Sequence, residues 1–330
     1  MKICPFCAEE IQDAAIKCRW CGEFLPSAPI AKNLNDKNMA EQNRIRAIDF
    51  CHHGLAQSDL GNYQQAIKYF DKAIELYPEY AEAYFDRGNA YSELGNYQQA
   101  IKDYNKARKF NPKDAEIYNN RGSAYYKLGN YQLAIRDFDI AIELNSLYFM
   151  PYRNRGNVYA ALGEQEKAIR DYDRVIELNP SGAEVYGLRG KSYLNFGDHQ
   201  RAIKDFDVAI KLDPNWHGAY CFRAFAFCAL GDYHSAIKDF NKTIELDPNN
   251  AIYYYCRGSA YGDLGKHQQA ISDFNKAIEL NPEYAEAFRH RGVMHGDLGN
   301  HQQAIRDFKS AARLGDTLAQ EFLRMQGFNW

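Results

Sequence analysis

The chain has 330 residues with 40 basic against 43 acidic side chains, a formal net charge of −3 and a charged fraction of 25%. That balance disfavours a protein built mainly to hold nucleic acid, which carries a basic surplus or stripe. The mean hydropathy of −0.59 and the lack of any apolar run of ~18 residues argue against a membrane span. The opening Met1-Lys2-Ile3-Cys4-Pro5 lacks the apolar core of a secretory signal, so a cytoplasmic location is expected. In that compartment the eight cysteines read as metal ligands or small apolar residues rather than disulfides.

The first 25 residues hold Cys4-Pro5-Phe6-Cys7 and Cys18-Arg19-Trp20-Cys21, two C-x2-C pairs with ten residues between them. Four thiolates in two such pairs suit the tetrahedral shell of a structural Zn²⁺, and a four-cysteine set leaves no open position for catalysis. So short a segment buries too little surface to fold alone. Metal binding would supply its folding free energy, on the order of 10–16 kcal/mol in comparable peptides. The spacer is shorter than the roughly 15–20 residues usual for this pattern. Residues 1–25 resemble the short zinc ribbons found at the starts of otherwise varied bacterial proteins. The resemblance implies one structural zinc per chain, held by Cys4, Cys7, Cys18 and Cys21. A redox C-x2-C pair is the alternative. Next, Pro26-Ser27-Ala28-Pro29 and a polar stretch to about Gln42 read as a tether. Residues 26–46 are therefore linker plus the start of a first helix, beginning after Asn38.

From there the chain repeats itself. Gly61, Gly95, Gly129, Gly163, Gly197, Gly231, Gly265 and Gly299 stand 34 residues apart, and Ala66 to Ala304 keep the same step. Eight gapless units follow: 47–80, 81–114, 115–148, 149–182, 183–216, 217–250, 251–284 and 285–318. A fixed period of this size marks a solenoid, in which each unit buries its apolar face against its neighbours. In the second unit Tyr84, Gly88 and Tyr91 share one helix face, and Gly95 suits the left-handed residue after a helix end. Asn96 and Gln99 form a capping box, Ala100, Tyr104 and Ala107 form the stripe of a second helix, and Pro112 stops it. Each unit is thus an antiparallel helix pair, with Gly88 and Ala100 allowing close approach.

These residues resemble the tetratricopeptide repeat. With positions counted from the start of each unit, an aromatic fills positions 4 and 24 in all eight copies and Pro fills position 32 in six. The resemblance implies an all-α, right-handed superhelical solenoid of eight 34-residue helix-turn-helix repeats plus a C-terminal capping helix, preceded by the small zinc ribbon. One departure is Arg at position 7 in seven repeats, where the family has Leu. Asp fills position 23 in the same seven, while the first repeat has His53 and Tyr69. We expect an Arg–Asp pair joining the two helices of each repeat, with a link to the neighbouring repeat as the other option. At the junction of the third and fourth repeats Ser146 replaces Pro, and Pro151 falls in a first helical turn. After the eighth repeat, residues 319–330 are the rest of the capping helix and a tail. That helix is expected over about Thr317–Gln326 with Leu318, Phe322 and Met325 on its apolar side, and Phe328 and Trp330 folded back on it.

No P-loop, G-x-G-x-x-G, H-E-x-x-H or G-x-S-x-G motif occurs, so no enzyme is expected. His199, His267, His301 and His295 stand where sister repeats have Tyr and read as structural. Function then falls to the concave groove that the resemblance implies, lined at positions 2, 5, 6, 9, 12 and 13. These positions select Asn89, Asn120, Arg153, Asn154, Asn157, Leu188, Lys191, Leu194, Phe222, Phe225 and Tyr255. The asparagines can bond an extended peptide backbone. The apolar run around Phe222 and Phe225 reads as a binding patch, against plain packing as the alternative. The clamp with which some family members grip a chaperone's terminal carboxylate would begin at Arg153 and Asn157. It fails at Leu188, Gly218 and Phe222. The expected function is a cytoplasmic, non-enzymatic scaffold that binds an extended peptide segment of a partner protein. A regulatory subunit whose ribbon contacts nucleic acid or a transcription or translation complex is the alternative. Self-association stays open, and no membrane partner is expected.

Overall fold

The computed structural model describes residues 2–3, 10–11 and 29–330, with side chains from Asn38 onward. Strands β1 (Lys2–Ile3) and β2 (Glu10–Ile11) pair antiparallel, Lys2 opposite Ile11 and Ile3 opposite Glu10. Cys4, Cys7, Cys18 and Cys21 lie outside the described residues. Everything else among the described residues is helix and turn, in two compact units that divide between Leu144 and Asn145. The division falls at the junction where Ser146 replaces the usual proline.

The first unit holds α1 (Pro29–Asp59), α2 (Tyr63–Leu76), α3 (Ala81–Glu93), α4 (Tyr97–Phe110), α5 (Ala115–Lys127) and α6 (Tyr131–Leu144). The second holds α7 (Phe149–Ala161), α8 (Gln165–Leu178), α9 (Ala183–Phe196), α10 (His199–Leu212), α11 (His217–Ala229) and α12 (Tyr233–Leu246). It continues with α13 (Ala251–Asp263), α14 (His267–Leu280), α15 (Ala285–Asp297), α16 (His301–Arg313) and α17 (Thr317–Met325). Within each unit every helix packs on the next one along the chain. The helix pairs fall where the 34-residue period puts them. One boundary differs: α1 begins at Pro29, not after Asn38. Proline's fixed φ suits a first helical turn, and neither Gly nor Pro interrupts the chain from Ile30 to His53.

The glycines at position 15 all adopt left-handed φ, from +70 at Gly265 to +90 at Gly197, so each closes a first helix where a Cβ would be strained. Asn96 caps α4 through Oδ1, which accepts from the Gln99 N–H at 3.3 Å; its own N–H donates to the Tyr91 carbonyl. Gly88 serves a ring rather than a backbone. A Cβ there would sit 2.7 Å from Cε1 of Tyr104, and the same residue at position 8 seats the position-24 ring in most repeats. Those rings form the core. Phe70, Tyr104 and Phe138 in the first unit and Tyr172, Phe206, Phe240 and Phe274 in the second are at most 1% exposed.

The position-7 arginines satisfy both expected links at once. Arg121 donates Nε and Nη2 to the two carboxylate oxygens of Asp137 in its own repeat, at 2.7 and 2.6 Å. Its Nη1 reaches back to Asn105 of the preceding repeat at 2.5 Å. Arg87, Arg189, Arg223, Arg257 and Arg291 repeat this three-point grip, with Asp71, Asp173, Asp207, Asn241 and Asn275 as the backward acceptors. Each guanidinium therefore ties three helices. In the first repeat, His53 and Tyr69 replace the ion pair with stacked rings 5.7 Å apart.

The last helix departs from expectation. Asp316 caps it, accepting from the Ala319 N–H at 2.7 Å. Its buried face is Ala319 and Leu323 with Phe322 against Phe308 at 4.3 Å; Leu318 and Met325 are 59% and 72% exposed. Both sets have helical spacing, but only the set containing the small Ala319 can lie close on α16. Phe328 does fold back: its N–H donates to the Leu323 carbonyl, and Lys309 lies 5.9 Å from its ring.

Candidate functional site

The odd-numbered first helices of each unit touch one another along one face, through side chains at positions 5, 6 and 9 and, in the second unit, also 1, 2 and 3. In the first unit Asn120 Nδ2 donates to Asn89 Oδ1 at 2.9 Å, and Asn119 Nδ2 donates to Asn120 Oδ1 at the same distance. In the second, Arg153 Nη1 meets Glu184 at 3.2 Å, Tyr255 meets His290 at 3.4 Å, and Tyr253 meets His217 at 3.1 Å. Within each unit these contacts line the first helices up along one face, the inner face that the resemblance implies.

Two asparagines on this face are held by a device that the motif reading missed. The buried phenol of Tyr104 donates to Asn89 Oδ1 at 2.8 Å, and that of Tyr172 donates to Asn157 Oδ1 at 2.8 Å. Burial pushes the Tyr104 phenol well above its ordinary pKa, so it stays a donor. A buried hydroxyl needs a partner, and here it fixes which amide atom faces inward. The NH₂ groups of Asn89 and Asn157 have no partner among the described residues. The signal was present in the sequence: the two repeats with Tyr rather than Phe at position 24 are the two with Asn at position 9.

The remaining selected residues split into polar and packed sets. Lys191 is exposed and lies 5.2 Å from the Phe222 ring; the Nε of Arg153 is buried without an acceptor. Asn154 is half-buried on the same face. Leu188 and Leu194 pack against the Ala168–Tyr172 and Tyr193–Phe206 clusters. Phe222 stacks on Phe206 at 6.0 Å, and Phe225 meets Phe240 edge-on at 5.7 Å, so both rings are half inside the core. Cys221, Cys228 and Cys256 belong to the Phe240 cluster, and burial pushes the thiol of Cys228 up to about 11 and those of Cys221 and Cys256 to about 12.

Position 34 also faces this surface, which position counting missed. Trp216 lies across Gly187, where any Cβ would run into its ring, and Tyr284 sits 4.9 Å from Tyr255. Tyr80 stands beside Cys51, whose Sγ donates to Asp86 Oδ2 at 3.4 Å. Burial, with Glu82 adding repulsion, raises the Asp86 carboxyl to about 6, against the opposing hydrogen bond from Cys51. Among the described residues no group of three or more His, Cys, Asp or Glu could hold a metal ion, and no helix is long and apolar enough to cross a membrane.

Tetratricopeptide-repeat models match residues 50–80, 115–146 and 251–284 in one form and 69–102 and 183–216 in two others. A further TPR repeat model matches 88–129, 156–197 and 224–265. Together they span more than half of the chain. The chain belongs to the tetratricopeptide-repeat family. Among solved tetratricopeptide-repeat structures it is similar to the C-terminal part of a protein from Cytophaga hutchinsonii. That match has 22% identity and a TM-score of 0.60, covering 72% of this chain and 98% of the other. It is also similar to a tetratricopeptide repeat protein from Parabacteroides merdae, at 24% identity and 0.56, covering 74% and 97%. A third is YrrB, described as having an unusual peptide-binding site, at 24% and 0.50, covering 57% and 97%. At these identities the likeness shows the fold. No curated protein matches the chain.

Proposed function

We propose that this tetratricopeptide-repeat chain is a non-enzymatic scaffold whose inner face binds an extended segment of a partner protein. The observation that carries the reading is the pair of oriented asparagines. Asn89 in one unit and Asn157 in the other each spend their oxygen on a buried phenol and turn a free NH₂ toward the face. A donor fixed in this way loses little entropy when it meets a peptide carbonyl. Arg153 and Lys191 add positive charge in the second unit, and Glu82 and Glu116 add negative charge in the first. The packing of Phe222 and Phe225 makes them walls of this surface, with Lys191 above. Peptides selected from a displayed random library against the wild-type chain, then titrated against Asn89→Asp and Asn157→Asp, test the reading. Aspartate keeps the acceptor for the tyrosine and replaces the outward donor with a charged acceptor that repels a peptide carbonyl. Affinity should fall about tenfold for peptides bound in the unit that carries the change. Undiminished affinity in both variants would rule the asparagines out.

We also infer that Cys4, Cys7, Cys18 and Cys21 hold one structural zinc. The thiol donor set suits the metal. The pairing of Lys2–Ile3 with Glu10–Ile11 supports the reading, because it brings together the ends of the segment that contains Cys4 and Cys7. Zinc measured on the purified chain should be one equivalent and should fall to none in Cys4→Ser/Cys7→Ser. A cytoplasmic location is in keeping with the four free thiols among the described residues, Cys51, Cys221, Cys228 and Cys256.

A further inference from the structure

In the second unit, the first helices α7, α11, α13 and α15 each run thirteen residues and α9 runs fourteen, but α17 runs nine. It therefore stops about one turn short. The consequence is visible on α16. In the sixth repeat, Ala236, Ile237 and Phe240 are covered by Ala260 and Tyr261 from the last turns of α13. The equivalent residues of the eighth repeat, Ala304, Ile305 and Phe308, have only α17 and Phe328. Phe308 is 8% exposed where Phe240 is fully buried, and Ala304 is 6% exposed where Ala236 is fully buried. A cavity of about 520 Å³ remains beyond the end of α17. Its walls are Val293 and Gly296 of α15, Ile305 and Phe308 of α16, Phe322 and Phe328.

We propose that this cavity is a second docking site, separate from the inner face, which takes a helical turn of a partner protein. The occupant follows from continuity with the repeat-stacking interface. At the covering positions five of the seven later repeats carry a small residue followed by an aromatic one, as in Ala260-Tyr261; the fourth carries Val158-Tyr159 and the eighth Met294-His295. Another copy of this chain fits poorly. Its first helices after α1 carry Arg at position 7, which needs the Asp or Asn acceptor that the first seven repeats provide at position 25, and α1 itself has Gln57 where the aromatic would stand. The eighth repeat has Lys309 there, which would set an ammonium against the incoming guanidinium. The partner's turn is therefore small-then-aromatic and without a cation toward Lys309.

The test uses a fluorescein-labelled, hydrocarbon-stapled helical peptide of residues 258–264, which carries the Ala260-Tyr261 pair without the arginine, titrated into the full chain. Gly296 provides the blocking variant. A Cβ there would meet nothing within 4 Å, so Gly296→Phe fills the cavity and leaves the helix intact. Saturable binding that weakens at least about tenfold in Gly296→Phe, with thermal unfolding unchanged, is the expected result. No saturable binding to wild type, or equal binding by the variant, would overturn the proposal. So would a wild-type dimer in sedimentation velocity that Gly296→Phe dissolves, because the occupant would then be a second copy.

Discussion

Arg121 and Asp137 are the most enclosed of the linking pairs, with side chains 7% and 4% exposed. Removing one partner of so buried a pair strands the other charge, so Arg121→Leu should cost about 3–5 kcal/mol in urea unfolding. Arg121→Lys should recover only part of this, because one ammonium cannot reach both Asp137 oxygens and Asn105. Equal stability of the Lys variant and wild type would refute the three-point grip. The Arg–Asp half was legible as a joint departure at two positions. The backward link was not, because position 25 alternates between Asp and Asn and shows no single repeated residue. A similar argument covers Tyr172. Asn157→Leu should cost about 1–3 kcal/mol by removing the acceptor that the buried Tyr172 hydroxyl meets at 2.8 Å. Adding Tyr172→Phe should restore most of it, as the sixth repeat does with Phe225 against Phe240. Additive losses would show that the hydrogen bond is not what couples them. Asp86 gives a pH signature. Its folded value of about 6 lies above the ordinary carboxyl near 3.8, so folding favours the protonated form. That contribution is full below about pH 4 and is lost as pH rises through 6. Asp86→Asn should therefore raise the melting temperature at pH 7.5 and leave it nearly unchanged at pH 4. A gain of the same size at both pH values would mean that burial of the charge is not its cause.

At the scale of elements, helix positions and their glycine ends were readable because the period recurs eight times and each glycine needs φ that other residues avoid. The ends of the array were less readable, since each is a single instance. The 29–46 stretch continues into α1 although its composition is polar, because nothing in it breaks a helix. In α17 two faces have equal helical spacing, and only contact with α16 selects Ala319 and Leu323 over Leu318 and Met325. Incomplete cover by α17 should show in dynamics. Amides of α16 around Phe308 should exchange faster with deuterium than those around Phe240 and Phe274 in α12 and α14, which are covered on both sides. Equal protection across the three helices would contradict the claim that the last repeat is under-covered.

For the whole molecule, sequence periodicity told how many units there are and that neighbours bury one another's faces, but not that the chain divides between Leu144 and Asn145. The clue was local: Ser146 in place of proline, then Pro151 within the next helix. The inner face was legible as a set of positions. Its chemistry was missed, because the orientation of Asn89 and Asn157 depends on rings fifteen residues away, and the match of Tyr with Asn vanishes when those rings are read only as aromatic. Phe222 and Phe225 show the reverse case, apolar residues whose packing in the core only contacts reveal. The most direct measurement is the side-chain NH₂ region of a ¹⁵N–¹H spectrum, with Asn89 and Asn157 assigned by substitution, during titration of a library-selected peptide. The account predicts saturable downfield shifts of the NH₂ pair in the unit that binds, with the Tyr104 or Tyr172 bond retained. Saturable binding that moves other resonances and leaves both asparagine pairs still would contradict it.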